Sequence, residues 1–277
     1  MQYVELFKIA LLAALWLLVI APVVPLMVDT WFSHSDNSHA VLVPFISLYF
    51  TWSKRAELAE TAKKGSFLGG LFLTLCLALF LISYIGGIAF GVRLMIVTSL
   101  IGLVWNCWGW SSLRVLAFPL GFLFFMVPIP DTLLNVVSFP LQLQATKIST
   151  WVISLFSIPV YREGNMLYFV QTQLEVAEAC SGIRSIVALT MLSVLMAYLS
   201  DTSWQKKAFL VACAIPVALL ANILRVSGTG ILAHFYGDKV ARGFLHDFSG
   251  LVVFLFGFAV MLLLFRLLDW DGPHLQK

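Results

Sequence analysis

The feature that most constrains this chain is the apolar run FKIALLAALWLLVIAPVVPLMV at residues 7–28, which carries no charged residue after Lys8. A helix of about 20 apolar residues is long enough to span a lipid bilayer. The composition agrees, because 61% of the 277 residues are apolar and only 11% are charged, whereas a soluble domain carries about 25% charged residues. The sequence therefore predicts an all-α polytopic membrane protein whose surroundings are a lipid bilayer.

Hydropathy predicts about eight transmembrane helices in a single integral-membrane domain covering residues 1–277. Their approximate bounds are 6–28, 39–53, 66–85, 92–110, 114–130, 180–199, 207–226 and 248–266. No internal repeat accompanies them in the sequence. No basic run carries the interleaved aromatic residues of a nucleic-acid surface, so no nucleic-acid partner is expected.

The predicted orientation rests on the tendency of lysine and arginine to collect in cytoplasmic loops. The loop at 29–39, DTWFSHSDNSH, has no lysine or arginine and is assigned to the extracytoplasmic side. Both termini are then predicted to be cytoplasmic. The basic residues that this assignment places in the cytoplasm are Lys8, Lys54, Arg55, Lys63, Lys64, Arg114, Lys206, Lys207, Arg266 and Lys277.

An insertion at about 131–177 is predicted between the fifth and sixth crossings. Its first part, 131–157, is long enough to cross, but it carries two glutamines and a lysine near its middle, and Pro140 is expected to break a helix there. We therefore predict a helix in the outer interface with Trp151 as an anchor. The rest forms the largest extracytoplasmic loop, and the alternation in MLYFVQTQLEV at 166–176 predicts a short strand or hairpin.

This topology brings three chemically capable residues to one face of the membrane. The sixth crossing begins outside at about Cys180, the seventh ends outside at about Arg225, and the eighth begins outside just after His246. Hydropathy and charge bias alone therefore predict that these three residues lie at the same depth in the membrane.

Cys180 stands apart from the other cysteines because its neighbours are polar. We expect it to open a helix, where backbone N–H groups favour a thiolate, although Glu178 opposes that charge. Arg184 lies one turn later and either orients the site or pairs with a nearby glutamate. There is no C-x-x-C pair, so a redox pair or a zinc site is not expected, nor is any metal or cofactor. The cysteines within apolar runs, expected to be packing residues, are Cys76, Cys107 and Cys213.

Arg225 and two histidines are the remaining candidates for chemistry. Arginine at the end of a membrane helix often only reaches toward the interface, but Asn222 one turn earlier and the Ser-Gly-Thr-Gly that follows favour a site. His246 suits a general acid or base by its intrinsic pKa. His234 competes for that role, since a helix continuing past residue 226 would carry it outward.

Cysteine, histidine and arginine together support one known chemistry. The cysteine attacks a peptide carbonyl and forms an acyl-thioester. Histidine would move protons for the thiol and the leaving amine, and arginine would stabilise the oxyanion or the thiolate. The residues alone leave open which of the two transfers the proton.

Three motifs in this order resemble the exosortases: EACSGIRS at 178–185, NILRV at 222–226 and HDFSG at 246–250. The resemblance covers roughly residues 30–255, and its cysteine motif is closest to the exosortase A type. Two earlier stretches also resemble the family, DNSHAVLVPFISLYFTW at 36–52 and FMVPIPDTLLNVVSFPLQLQATKIS at 125–149.

The resemblance implies catalytic roles for Cys180, Arg225 and His246. It implies a multi-pass enzyme of the inner membrane of Gram-negative bacteria, with the active site facing the periplasm. Its partners would be exported proteins with a C-terminal PEP-CTERM signal, which combines a Pro-Glu-Pro motif, a membrane helix and a basic tail. The enzyme would be a cysteine protease or transpeptidase that cleaves this signal, in connection with exopolysaccharide or matrix assembly. The acceptor of a transfer reaction is unknown. The supporting candidates are Glu178, Ser181, Arg184, Asn222 and His39, the last in a Ser-His-Ala stretch where the family usually has Ser-His-Gly.

Three other classes compete with a peptidase. A transporter is expected to have ionisable residues near the bilayer midplane and often inverted repeats. The polar groups here cluster toward one face of the membrane instead. A disulfide-forming oxidoreductase needs paired extracytoplasmic cysteines, and only Cys180 is predicted outside. A scaffold for polysaccharide export without chemistry is the third alternative.

Overall fold

The computed structural model describes residues 2–33, 35–61, 64–170, 172–176, 182–237 and 244–269. The chain divides into two compact units, Met1–Pro130 and Asp131–Lys277. The boundary falls where the sequence predicts the insertion to begin. The single domain over residues 1–277 stays a prediction, and each unit has its own packing.

All the secondary-structure elements described in the N-terminal unit are helices. Its 3₁₀ segments are Ser35–Val41 and Leu123–Met126. Its α-helices are α1 (Gln2–Ile20), α2 (Val24–Ser33), α3 (Val43–Ser53), α4 (Arg55–Glu60), α5 (Phe67–Ile85), α6 (Ala89–Val115) and α7 (Ala117–Phe122).

Helices α5 and α6 make the closest helix pair of this unit. A Cβ atom at Gly102 would lie 2.9 Å from the Cα of Leu73, so the glycine lets the two backbones meet. Two side-chain hydrogen bonds also connect α6 to α1 and α2. The indole N–H of Trp16 donates to the hydroxyl of Ser99 over 2.9 Å, and Arg93 donates to the hydroxyl of Thr30 over 2.8 Å.

The C-terminal unit combines helices with a small sheet. Its α-helices are α8 (Asp131–Ser154), α9 (Ile183–Leu199), α10 (Trp204–Tyr236) and α11 (Phe244–Asp269). Its strands, antiparallel in the order β1-β2-β3, are β1 (Val160–Glu163), β2 (Met166–Phe169) and β3 (Gln173–Glu175). The strand predicted within residues 166–176 is thereby confirmed.

Helices α9, α10 and α11 share one apolar core. Leu189, Ala214 and Met261, one from each helix, are fully buried in it. At the end of this bundle where α9 finishes, the Lys206 ammonium donates to the backbone carbonyl of Leu268 over 3.0 Å. That contact satisfies one of the carbonyls that the last turn of a helix leaves without an internal partner.

A second apolar core joins the sheet to the helices. It contains Ile153 from the end of α8, Leu167 and Phe169 from β2, and Val226 from α10. A Cβ atom at Gly230 would lie 2.8 Å from the Cδ1 of Ile153, so α10 approaches α8 closely just past Val226. The sheet is therefore docked on the last third of α10.

By length and composition, four helices in the described residues are able to cross a membrane. They are Phe67–Ile85, Ala89–Val115, Trp204–Tyr236 and Gly250–Leu268. The count reaches six if two bent helix pairs are each one span, namely Phe7–Ile20 with Val24–Ser33, bent by 54°, and Ala117–Met126 with Asp131–Ser154. A polytopic helical membrane protein is thus confirmed, whereas the count of eight and the side of each terminus stay predictions. The predicted second and sixth crossings are shorter than a full span, since α3 has 11 residues and α9 has 17.

The expected break at Pro140 is wrong, because α8 runs unbroken from Asp131 to Ser154 with Pro140 inside it. The helix buries a polar face, with Gln142 at 4% exposure and Thr146 at 0%, while Val136 and Trp151 on other faces are exposed. Gln142, one of the polar residues that argued against a crossing here, is therefore buried against protein. Trp151 is exposed, and its role as an interfacial anchor stays a prediction.

Candidate active site

Arg225 lies within α10 rather than at its end. The seventh crossing was predicted to end near residue 226, and the helix itself continues to Tyr236. Where α10 leaves the membrane stays a prediction. Packing accounts for the extension, since Gly230 lies against Ile153 and Phe169 and the helix is held by tertiary contacts rather than by helix propensity. Asn222 and Arg225 are three residues apart and therefore project from neighbouring positions on one face.

Gly182 brings the cysteine motif onto α10. Its φ is +82°, in the left-handed region that favours glycine. A Cβ atom at Gly182 would lie 3.2 Å from both Cβ and Cγ of Asn222, and 3.3 Å from its amide nitrogen. The backbone of the cysteine motif thus rests directly on a side chain that is only 2% exposed.

Gly250 brings the histidine motif to the same part of α10. A Cβ atom at Gly250 would lie 3.8 Å from Nη2 and 3.9 Å from Cζ of Arg225, which is van der Waals contact. The Arg225 guanidinium therefore lies against α11. Position 246 is four residues before Gly250, so the two positions share a face of that helix.

These contacts gather the three motifs at one end of the α9–α10–α11 bundle. Gly182, Asn222 and Gly250 lie there, whereas the Lys206–Leu268 contact closes the opposite end. Segments distant in sequence therefore meet at Asn222 and Arg225, and Arg225 is half-buried.

Several predicted site residues fall on parts of the chain that the structure does not describe. Glu178, Cys180 and Ser181 belong to residues 177–181, outside the described residues. The described part of α9 begins at Ile183, so the prediction that Cys180 opens a helix stays a prediction. For His246 only the helical backbone is described.

The other supporting candidates lie in described segments. Arg184 is in the first turn of α9 and half-buried. His39 lies in the 3₁₀ segment of the N-terminal unit, and its carbonyl accepts a hydrogen bond from the N–H of Leu42 over 3.2 Å. Within the described residues, no group of three or more His, Cys, Asp or Glu side chains is placed to hold a metal ion.

His234, the competing histidine, packs against the sheet. Its ring centroid is 6.3 Å from that of Phe169 and 5.1 Å from that of Phe235. Its Nδ1 atom is buried and has no hydrogen-bond partner in the described part of the chain. Nine helical residues separate it from Arg225, which is roughly 13 Å along the helix axis.

Sequence reasoning missed two packing positions of this site, Gly182 and Gly250. Both glycines stand inside the quoted motifs, at the end of the Cys-Ser-Gly and Phe-Ser-Gly stretches. A signal was present, because glycine is the usual residue where a backbone or a guanidinium approaches closely. The sequence does not show, however, which side chain each glycine meets in the fold.

The family model described as transmembrane exosortase matches residues 31–264. The chain belongs to this family. The matched range contains all three motifs, so the exosortase signature and the clustering around Arg225 concern the same residues. Exosortases are generally proteases or transpeptidases, and this exosortase is a multi-pass membrane protein. No curated protein and no solved structure gives a significant match to the chain.

Proposed function

We propose that this exosortase is a cysteine protease or transpeptidase that removes the C-terminal sorting signal of exported proteins. The single observation that carries the proposal is that Arg225 lies at the meeting point of the cysteine, arginine and histidine motifs. Chain connectivity supports it, because Cys180 is two residues from Gly182 and two residues span at most about 7 Å.

The proposed reaction begins with the Cys180 thiolate, which adds to the carbonyl carbon of the scissile peptide bond. The carbonyl π electrons move to oxygen, and Arg225 stabilises the resulting oxyanion with its charge and its N–H groups. The oxyanion then reforms the carbonyl, the C–N bond breaks, and His246 gives a proton to the leaving amine. The products are an acyl-thioester on Cys180 and the released tail.

The second half of the reaction returns the enzyme to its starting state. Water or an acceptor amine adds to the thioester and gives a proton to His246, and the Cys180 thiolate leaves. We assign proton transfer to His246 because imidazole titrates near neutral pH, whereas a guanidinium stays protonated in proteins. Arg225 then acts as a fixed positive charge beside the reacting atoms.

The length of α10 supports a site at the extracytoplasmic boundary. From Lys206 to Arg225 the helix rises about 29 Å, close to the roughly 30 Å of a bilayer core. From His246 to Arg266 α11 rises about 30 Å as well. If the basic ends are cytoplasmic, as the positive-inside bias predicts, Arg225 and position 246 both reach the periplasmic boundary.

The proposed substrates follow from this location and from the exosortase family. They are exported proteins anchored by a C-terminal helix, with a Pro-Glu-Pro motif just outside the membrane and a basic cytoplasmic tail. Cleavage in the inner membrane would release or transfer the exported part to an acceptor during assembly of an exopolysaccharide matrix.

Co-expression with a tagged PEP-CTERM protein tests the proposal. We expect the substrate to lose its C-terminal tail only when the enzyme is present, as measured by mass spectrometry of the processed protein. We also expect Cys180 to react with a membrane-impermeant thiol reagent added from outside. An intact tail in the presence of folded enzyme would contradict the peptidase function and favour a transporter or a scaffold.

A further inference from the structure

Among the described residues, strand β3 has no neighbouring strand on the side away from β2. In the β2–β3 ladder the N–H of Val176 donates to the carbonyl of Asn165 over 2.9 Å, and the N–H of Phe169 donates to the carbonyl of Thr172 over 2.8 Å. Bonded and non-bonded pairs alternate in an antiparallel ladder. Leu174 lies two residues after Thr172 and two residues before Val176, and both of these bond to β2. By this alternation, Leu174 is the residue of β3 whose backbone bonds to β2.

The backbone polar groups of Gln173 and Glu175 consequently point away from β2. Both residues are exposed. Among the described residues, no backbone group bonds to them on that side. The edge thus offers a carbonyl and an N–H from each of two residues, spaced for another strand.

The open edge is connected to the proposed active site in two ways. Five residues after Glu175 the chain reaches Cys180. Leu174 packs on the core that contains Val226, the neighbour of Arg225. The opposite edge strand differs, because β1 packs beside α8.

We propose that the open edge of β3 binds an extended segment of the peptide substrate as a fourth strand, just before the scissile bond. This inference rests on the proposed function. Main-chain hydrogen bonds supply affinity in such strand addition, largely independent of side chains. Exported proteins of different sequence would therefore be held in the same way.

Because β3 leads along the chain toward Cys180, a substrate segment that ends at the scissile bond runs parallel to β3. Residues beyond the scissile bond lead into the substrate's membrane helix, whose backbone groups are already bonded, so only the segment before the bond is free to pair. In a parallel ladder, the substrate residue opposite Leu174 donates its N–H to the carbonyl of Gln173 and accepts from the N–H of Glu175.

Proline is tolerated on both sides of that substrate residue. The N–H positions of its two neighbours point away from β3, where a missing donor costs no ladder bond. A Pro-Glu-Pro segment has this arrangement, with the glutamate as the residue that pairs. The second proline also biases the preceding glutamate toward the extended conformation that pairing requires.

A proline variant at position 175 tests the edge. Glu175→Pro removes one outward N–H, and we expect processing to fall about tenfold relative to Glu175→Thr, which keeps that N–H. Arg162→Pro is the matched control, because by the same alternation its N–H points outward on the opposite edge. We expect Arg162→Pro to process substrate as the wild type does.

Photo-crosslinking supplies a readout that does not depend on activity or on the proline variant folding. A photoreactive residue at Gln173 in a Cys180→Ala enzyme should crosslink to the substrate segment before the scissile bond, and one at Arg162 should not. If the wild type processes substrate but Glu175→Pro equals Glu175→Thr and Gln173 gives no crosslink, strand addition is wrong. If the wild type leaves the tail intact, the proposed function itself fails.

Discussion

The side chain of Asn222 occupies the space into which a Cβ atom at Gly182 would project, at 3.2 Å from Cβ to Cβ. This contact joins the cysteine motif to the helix that carries Arg225. It links two segments 40 residues apart in the sequence. Because Gly182 also has a left-handed backbone, two independent constraints require glycine there.

The Gly182→Ala substitution should therefore impair processing. The left-handed conformation costs about 1–2 kcal/mol for a residue with a Cβ, and the new methyl also presses on Asn222. The ratio of tailed to processed substrate at matched enzyme levels measures the effect. Gly228→Ala is the control, since nothing lies within 4 Å of a Cβ there and alanine favours a helix. Equal processing by the two variants would show that this contact does not position the site.

Cys180→Ala should abolish processing while the enzyme still accumulates in the membrane. The substitution removes the proposed nucleophile and little packing volume. Immunoblots of enzyme and substrate from the same membranes provide the measurement. Cys213→Ala, in the apolar core of the bundle, should process substrate normally. Near-normal processing by Cys180→Ala would rule out the thioester mechanism.

His246→Ala should lower the processing rate by about 10²–10⁴-fold, the range for losing general acid–base help. His234→Ala should lower it far less, because His234 packs on Phe169 of the sheet and lies roughly 13 Å along α10 from Arg225. Initial rates with purified enzyme in detergent make the comparison. If His234→Ala is the more damaging change, the assignment of the proton-transfer role to His246 is wrong.

Arg225→Lys should also impair processing severely. Lysine keeps the positive charge but lacks the planar fork of five donors with which arginine can hold an oxyanion and a neighbouring group together. The same rate assay applies, with Arg162→Lys as a surface control. Full activity in Arg225→Lys would mean that the position needs only a point charge.

Reporter tags should show which side each loop occupies. Tags inserted after Lys64 and after Lys207 should report the cytoplasm, following the positive-inside bias. A tag at the turn between β1 and β2, at Gly164, should report the periplasm. A cytoplasmic report from Gly164 would place the sheet, and with it the proposed site, on the opposite face.

Much of the fold followed from local patterns. Apolar runs predicted membrane helices, because a helix in lipid needs a continuous stretch of apolar residues. The alternation at 166–176 predicted strands, because successive residues of a strand face opposite sides. The continuation of α10 to Tyr236 was not predictable in this way. Hydropathy detects where a helix leaves lipid, whereas its true end here is set by packing of Gly230 on Ile153.

The unbroken α8 was not predicted, because a proline in a helix interior usually breaks it and Pro140 lies within α8. The buried polar face of α8 was not predicted either. Gln142 and Thr146 are polar but buried, and a sequence does not reveal whether a polar residue faces water or protein. The motifs around Cys180, Arg225 and His246 were recognisable from sequence. The contacts of Gly182 and Gly250 that bring these motifs together were not recognisable from sequence, because each contact joins residues far apart in the chain.

The 33-residue length of α10 relates the position of Arg225 to the thickness of the membrane. The helix rises about 50 Å, so it exceeds the roughly 30 Å hydrocarbon core by several turns. A bilayer of different thickness would change the depth of Arg225 or tilt the helix. The sheet would move with it, since it is docked on the same rigid element. We therefore expect acyl-chain length to change how far the proposed reacting groups stand from the lipid surface.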